Sequence, residues 1–277
     1  MTIARDMDLV WDNKMLDEAG DIQTRLRDNY EKSMYSRLNE AQKKAIDAYY
    51  QPIIEQFKKD KLAGRDLALW KYRRYMQDYL RCVRSVDNNV GRVLDYLDEH
   101  NLAENTLIVY TSDQGFYMGE HGWFDKRFMY EPSLRTPLVM RLPKSLERRG
   151  TIEELVQNID YAPTFMDLAG LNIPEDMQGR SLKPLLDGQV IDWREAIYYH
   201  YYEYPGAHSV KRHYGVRTDR YKLIHFYDDI DEWEFFDLQN DPDEMQNLYG
   251  QPLQEGIIEQ MKARLQTLRM RYQVPAI

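Results

Sequence analysis

Residues 107–126 read LIVYTSDQGFYMGEHGWFDK, and this stretch decides the expected fold. It opens with the apolar run Leu107–Tyr110, which is typical of a strand buried on both faces of a sheet. A helix is predicted before it over 69–98, because apolar residues recur there at three- and four-residue steps. A helix that leads into a buried strand indicates a β/α crossover and a largely parallel sheet.

Polar residues follow this strand directly. Asp113 and Gln114 occupy the place where ligands bind in open α/β sheets, and their carboxylate and amide oxygens suit a hard cation such as Ca²⁺ or Mg²⁺. His121 can carry a proton near neutral pH, and Lys126 can bind an anion. The set favours chemistry on an anionic ester. For this stretch alone, a surface loop with a solvated lysine and a capping aspartate is the alternative.

Other local patterns complete the first part of the chain. Residues 136–143 and 156–159 are interpreted as further short strands, and a helix is predicted from Asp160 to Gly170. After Asp192 the pattern changes to short strands over 196–204, 213–217, 221–227 and 233–238, followed by an amphipathic helix over 253–272. We therefore predict one domain over 1–184, with a helical lead-in over 1–66, and an antiparallel subdomain over 185–277.

Composition excludes several classes of protein. The 277 residues carry a formal net charge of −9, so no basic footprint for nucleic acid is present. No run approaches the roughly 18 apolar residues of a membrane helix, so no membrane partner is expected. Cys82 is the one cysteine, which excludes an intrachain disulfide and a thiolate zinc site. We interpret it as a small core residue.

A linked set of motifs resembles the type I sulfatases of the alkaline phosphatase superfamily. The motifs are Val109–Gly115, Gly119–Gly122, Lys126, Arg135–Leu138, Ile159–Thr164, Gly179–Leu182, Tyr221–Ile224 and Phe236–Glu244. They follow the family's order over about 70–277, which makes the resemblance specific. It implies an α/β, alkaline-phosphatase-like fold. This chain would hold the C-terminal part of the large domain and the smaller antiparallel subdomain with its terminal helix.

The resemblance also implies roles for single residues. Asp113 and Gln114 match calcium ligands, His121 matches the histidine near the leaving-group oxygen, and Lys126 matches the lysine that binds the sulfate. Within the family the chain is most similar to bacterial N-acetylglucosamine-6-sulfatase-like enzymes. A sulfated carbohydrate, from a glycosaminoglycan or a mucin, is then the expected substrate. His208 and His213 are candidates for sugar contacts, with a merely buried or exposed histidine as the alternative.

The sequence departs from the family in two respects. The Cys/Ser-x-Pro-Ser/Ala-Arg motif that becomes the formylglycine nucleophile is absent, since Cys82 is followed by Val83-Arg84-Ser85. The paired aspartates of the family's N-terminal region are absent as well. We expect formylglycine and the remaining Ca²⁺ ligands in an N-terminal half, which is a candidate partner. From this chain alone we expect little or no sulfatase activity. The family is usually secreted, periplasmic or lysosomal.

Two other readings stay open at this point. The first is a phosphodiesterase or phosphatase of the same superfamily, which would use Thr or Ser with two zinc ions. The second is a non-catalytic remnant that binds sugar or a partner through the late sheet. Gln114 and the spacing to Lys126 favour the sulfatase over the first reading.

Overall fold

The computed structural model describes residues 3, 5, 7–9, 12–13, 35–143, 149–189, 191–206 and 209–275. The chain divides into two compact units, one of 1–100 with 116–125 and one of 101–115 with 126–277. The predicted boundary between 184 and 185 falls inside the second unit. One reason is that side chains of the late sheet bond to the 126–135 segment, as Tyr199 does to the carbonyl of Arg127 at 3.0 Å. As a domain boundary, 184/185 stays a prediction.

The described part of the first unit contains two α-helices, α1 (Glu40–Asp60) and α2 (Gly64–Glu99), and 3₁₀ turns at 35–37 and 120–122. Asn39 caps α1 by accepting a hydrogen bond from the backbone N–H of Gln42, whose side chain returns the bond to the Asn39 N–H. The helix ends at Lys61, which has a left-handed φ of 48°. Near that end, the ring of Phe57 packs 4.4 Å from that of Trp70.

Helix α2 confirms the predicted helix, but the exposure of its side chains differs from the expectation. Val83 and Val93, two of the periodic apolar residues, are 45% and 58% exposed, and Cys82 is exposed where a core position is predicted. The charged residue Arg74 is instead only 4% exposed. It bonds to Asp78 at 2.5 Å and lies over the ring of Tyr50. Helical periodicity identifies a face of the helix, but it does not identify what covers that face.

The second unit begins with a strand pair. Strand β1 (Ile108–Thr111) precedes the four-residue helix α3 (Glu131–Leu134) and strand β2 (Leu138–Arg141). In the described chain β1 pairs with β2 alone, antiparallel, with Thr111 opposite Leu138. The predicted parallel sheet is therefore wrong for this strand. Burial on both faces is wrong as well, since Tyr110 of this strand is 44% exposed. An apolar run shows that a strand can be buried, not which strand pairs with it.

Two more helices follow β2. Helix α4 (Tyr161–Leu168) confirms the predicted helix, which stops at Gly170 with a φ of 71°, and α5 (Lys183–Leu186) lies further on. The predicted strand over 156–159 is wrong, because residues 158–160 form a 3₁₀ turn. The carboxylate of Asp160 accepts the N–H of Gln157 at 2.7 Å, which closes the chain into that turn.

The late sheet confirms the antiparallel prediction. Its strands are β3 (Ala196–Tyr201), β4 (His213–Thr218), β5 (Tyr221–Phe226) and β6 (Glu232–Asp237), hydrogen-bonded in that order. The terminal helix α6 (Glu255–Arg271) packs on one face, where it forms a common core with Val216, Leu223 and Phe235, all 0% exposed. Among the helices that the structure describes, none has the length and apolarity needed to cross a membrane.

Candidate active site

A cavity of about 940 Å³ lies within the second unit. Its walls come from the turn after β1, the segment 126–136, the stretch 151–159 and strand β3. Asp113, Gln114 and Lys126 all line it. The fold therefore brings together three of the residues that the sequence singled out, although twelve positions separate Gln114 from Lys126.

We call the turn 112–115 the metal turn, because it carries the predicted cation ligands Asp113 and Gln114. Hydrogen bonds to its backbone fix its conformation. The Ser112 hydroxyl donates to the Gln114 carbonyl at 2.8 Å, and the Asn158 amide donates to the Asp113 carbonyl at 2.8 Å. On the other side, the Gly115 N–H donates to the Ser133 carbonyl at 2.7 Å. The backbone is thus fixed from both sides, while the carboxylate of Asp113 stays exposed for a ligand.

The backbone of the metal turn approaches that of α3 so closely at position 115 that only glycine fits there. A Cβ atom at this position would lie 2.0 Å from the Pro132 carbonyl oxygen and 2.8 Å from that of Ser133. Only a residue without a side chain allows the metal turn to rest on α3 at this distance.

Lys126 lies where the chain re-enters the second unit. Its carbonyl accepts a hydrogen bond from the Ser133 hydroxyl at 2.6 Å. Among the residues with described positions, no carboxylate forms an ion pair with its ammonium group. The next cation in the cavity wall, Arg127, lies 3.8 Å from the carboxylate of Glu203. The charge of Lys126 is therefore available to an anion in the cavity.

The donors of the metal turn fit a hard cation in type. Ca²⁺ takes about six to eight oxygen ligands, and Asp113 and Gln114 supply a carboxylate and an amide oxygen. Across the described ranges, no group of three or more His, Cys, Asp or Glu side chains is arranged to hold a metal ion. These two residues would thus form part of a Ca²⁺ shell.

His121 belongs to the first unit. It sits in the 3₁₀ turn 120–122 with a φ of 55°, after Gly119, whose φ of 125° favours glycine. Its ring stacks 5.5 Å from that of Trp123 and meets Tyr117 edge-on at 6.0 Å. The sequence placed His121 and Lys126 in one loop, whereas the structure assigns them to different units.

His208 and His213 are the two predicted sugar contacts. His208 lies outside the described residues. His213 is 0% exposed, its Nδ1–H donates to the Lys211 carbonyl at 2.8 Å, and burial lowers the pKa of its imidazole to about 4. Its ring stacks on those of Tyr199 and Tyr201, which line the cavity, whereas His213 does not line it. The predicted sugar contact of His213 stays a prediction, which its burial does not favour.

Sequence reasoning missed the side chains that support the site. Asp160 is 0% exposed and accepts hydrogen bonds from the N–H of Arg180 at 2.9 Å and from the guanidinium of Arg194 at 2.6 Å. This buried pair fixes the 158–160 turn and so places Asn158 against the metal turn. The sequence predicts Asp160 as the start of a helix and as part of a family motif, but nothing local connects it to Arg194.

Two family models match the chain. A model described as "Sulfatase" matches residues 8–171, and one described as "N-sulphoglucosamine sulphohydrolase, C-terminal" matches residues 119–271. The chain belongs to the sulfatase family. The predicted alkaline-phosphatase-like α/β fold is confirmed with it.

Single relatives support the narrower resemblance. The chain is 51% identical to N-acetylglucosamine-6-O-sulfatase of Bacteroides thetaiotaomicron over 90% of its own length and 45% of that protein. It matches a structure of BT4656 "in complex with its substrate D-Glucosamine-2-N, 6-O-disulfate" with a TM-score of 0.89 and 45% identity, covering 99% of this chain and 56% of that one.

A third match is a phosphonate monoester hydrolase from Silicibacter pomeroyi, with a TM-score of 0.66 and 27% identity. It covers 77% of this chain and 44% of that one. This sulfatase-family chain thus spans about half the length of the relatives it matches.

Proposed function

We propose that this chain supplies part of the active site of a sulfuric ester hydrolase that acts on 6-O-sulfated glucosamine units, as found in glycosaminoglycans. The observation that carries the proposal is the meeting of Asp113, Gln114 and Lys126 in the wall of one cavity. The sugar is suggested by the relatives, one named for N-acetylglucosamine 6-O-sulfate and one bound to a disulfated glucosamine.

The proposed roles of the site residues follow from their charge. The ammonium of Lys126 would bind the sulfate. Asp113 and Gln114 would hold a Ca²⁺ ion, which would supply positive charge to neutralise the sulfate oxygens. Glu131 also lines the cavity, but its carboxylate is bonded to Lys222 at 2.9 Å and to Arg217 at 3.2 Å. Its negative charge is therefore compensated and repels a sulfate only weakly.

Two further parts of the proposal rest on the family resemblance. His121 would donate the proton to the leaving sugar oxygen, as a general acid. The formylglycine nucleophile would come from a polypeptide segment beyond these 277 residues, and export from the cytoplasm is expected for the whole protein.

Binding of sulfated and plain sugar to the purified chain tests the proposal. In calorimetry with Ca²⁺ present, N-acetylglucosamine 6-sulfate should bind at least about 10-fold more tightly than N-acetylglucosamine, because a hydrogen bond to a charged group contributes about 1.5–3 kcal/mol. Lys126→Ala should remove that preference. Lys262→Ala, on the far helix α6, is the matched control and should keep it.

Three outcomes would overturn the proposal or a part of it. Equal affinity for the two sugars would show that the chain binds sugar without recognising sulfate, which favours the non-catalytic alternative. A preference for the 6-phosphate over the 6-sulfate would favour the phosphatase reading. Turnover of the sulfate ester by this chain would contradict the expected external nucleophile.

A further inference from the structure

We propose that Ser133 is a positioning residue that sets the spacing between the metal turn and Lys126. The inference rests on the proposed function, since it gives the two segments their roles. It adds a residue of the cavity wall that links the two binding groups through the backbone.

The hydrogen bonds of Ser133 point in two directions. Its hydroxyl donates to the carbonyl of Lys126 at 2.6 Å, and its own carbonyl accepts the N–H of Gly115 at 2.7 Å. The residue is 5% exposed, so these bonds do not compete with bulk water. One residue is thus bonded to both segments that carry the binding groups.

The helix that carries Ser133 is itself anchored to the late sheet. The backbone N–H of Glu131 donates to the Glu244 carboxylate at 2.6 Å, and the Glu131 carboxylate pairs with Lys222 and Arg217. Burial by itself would raise the pKa of Glu131, but the charges of Lys222 and Arg217 outweigh it and lower that pKa. Because Lys222 is 0% exposed, this charge cluster fastens α3 to the interior of the sheet.

The metal turn has little room to adjust by itself. The Pro132 carbonyl leaves no space for a Cβ atom at Gly115, and the Asn158 amide donates a hydrogen bond to the Asp113 carbonyl. The Lys126 carbonyl is held by the Ser133 hydroxyl. Removal of that hydroxyl should therefore free Lys126 and leave the metal turn in place. The expected effect is a loss of coupling between cation and anion, with little change in cation affinity.

Luminescence of Tb³⁺, an oxygen-seeking substitute for Ca²⁺, measures this coupling in the purified chain. Tb³⁺ is titrated with and without methyl sulfate, which carries the anionic group but no sugar. In the wild type, methyl sulfate should tighten Tb³⁺ binding by a factor of about 5 or more. Ser133→Ala should bring that factor close to one and change the affinity for Tb³⁺ alone less than about 3-fold. Ser133→Thr, which keeps the hydroxyl, should restore the coupling.

The controls separate this proposal from the proposed function. Asp113→Asn should abolish the Tb³⁺ signal, and if it does not, the cation site of the proposed function fails together with the role of Ser133. Ser181→Ala removes a comparable hydroxyl bond, of 2.6 Å to Asp167, away from the cavity, and should keep wild-type coupling. If Asp113→Asn acts as expected but Ser133→Ala keeps the wild-type factor, the positioning role is wrong. An equal loss of coupling in Ser181→Ala would overturn it too, since general loosening would then explain the effect.

Discussion

The four-stranded late sheet and the β1–β2 strand pair are both built from short strands rich in apolar residues, yet they are stabilised differently. In the late sheet Leu223 and Phe235 are 0% exposed beneath α6, whereas in the strand pair Val139 is 62% and Tyr110 44% exposed. The late sheet carries its own covering helix. The strand pair, in the described chain, is held by its hydrogen-bond ladder and by the polar bonds at the end of β1.

This difference separates a region that supplies stability from one that supplies chemistry. Two-stranded pairs are marginal by themselves, so the order of the metal turn depends on polar groups that reach it from elsewhere in the second unit. These are the side-chain amide of Asn158, on the anchored 158–160 turn, and the backbone carbonyl of Ser133, on α3. Substitutions in the two regions should therefore have unequal effects on folding.

The largest effect is expected in the core of the late sheet. Phe235→Ala should lower the free energy of unfolding by about 3–5 kcal/mol, because it removes a fully buried ring and leaves a cavity between the sheet and α6. Urea denaturation followed by far-UV circular dichroism measures the change. A loss below about 1 kcal/mol would mean that α6 does not depend on this sheet for its packing.

A somewhat smaller effect should appear as pH dependence in the same sheet. Burial lowers the folded-state pKa of His213 to about 4, against about 6.5 in the unfolded chain. The unfolded state therefore binds the extra proton between these values. The stabilisation is complete above pH 6.5 and is lost as the pH falls toward 4, by about 3 kcal/mol. Urea midpoints across this range test it.

His213→Phe is the matched variant for the range between pH 4 and 6.5, because it keeps an aromatic ring stacked with Tyr199 and Tyr201. Its stability should depend less steeply on pH, with the remaining slope due in part to His200, whose pKa burial also lowers to about 4. An unchanged slope would show that His213 is not the group that titrates.

In the strand-pair region the turn should be more sensitive than the strands. Gly115→Ala should cost about 1–3 kcal/mol, because the new Cβ would collide with the Pro132 carbonyl 2.0 Å away. Gly91→Ala, with open space in the middle of α2, should instead stabilise by about 0.5–1 kcal/mol. If thermal melting shows the same change for both variants, the close approach of the metal turn to α3 is not real.

The smallest effect is expected on the exposed face of the strand pair. Val139→Thr keeps a β-branched side chain at a position that is 62% exposed, so the free energy of unfolding should change by less than about 0.5 kcal/mol. A loss above about 2 kcal/mol in the same urea assay would show that Val139 is buried in solution. The contrast between the two regions would then disappear.

The sequence by itself determined the local elements and the chemistry of the site. Strands β3–β6 and helices α2, α4 and α6 were predicted within a few residues, because alternation, periodicity and turn residues are local signals. The order of the motifs identified the family, since it depends only on residue types along the chain. Asp113, Gln114 and Lys126 were selected on the same basis, and the fold then placed all three on one cavity.

Only the tertiary structure decided which groups those elements contact. Nothing local indicates that β1 pairs antiparallel with β2, that Cys82 is exposed, or that Arg74 is buried against Asp78. Nothing local indicates either that His213 is fully buried, with its ring stacked on those of Tyr199 and Tyr201. No local pattern in the sequence distinguishes Ser133, which the fold brings into hydrogen bonds with both Gly115 and Lys126. Burial and partners depend on contacts between distant segments, and a periodic pattern reports a face without reporting what packs against it.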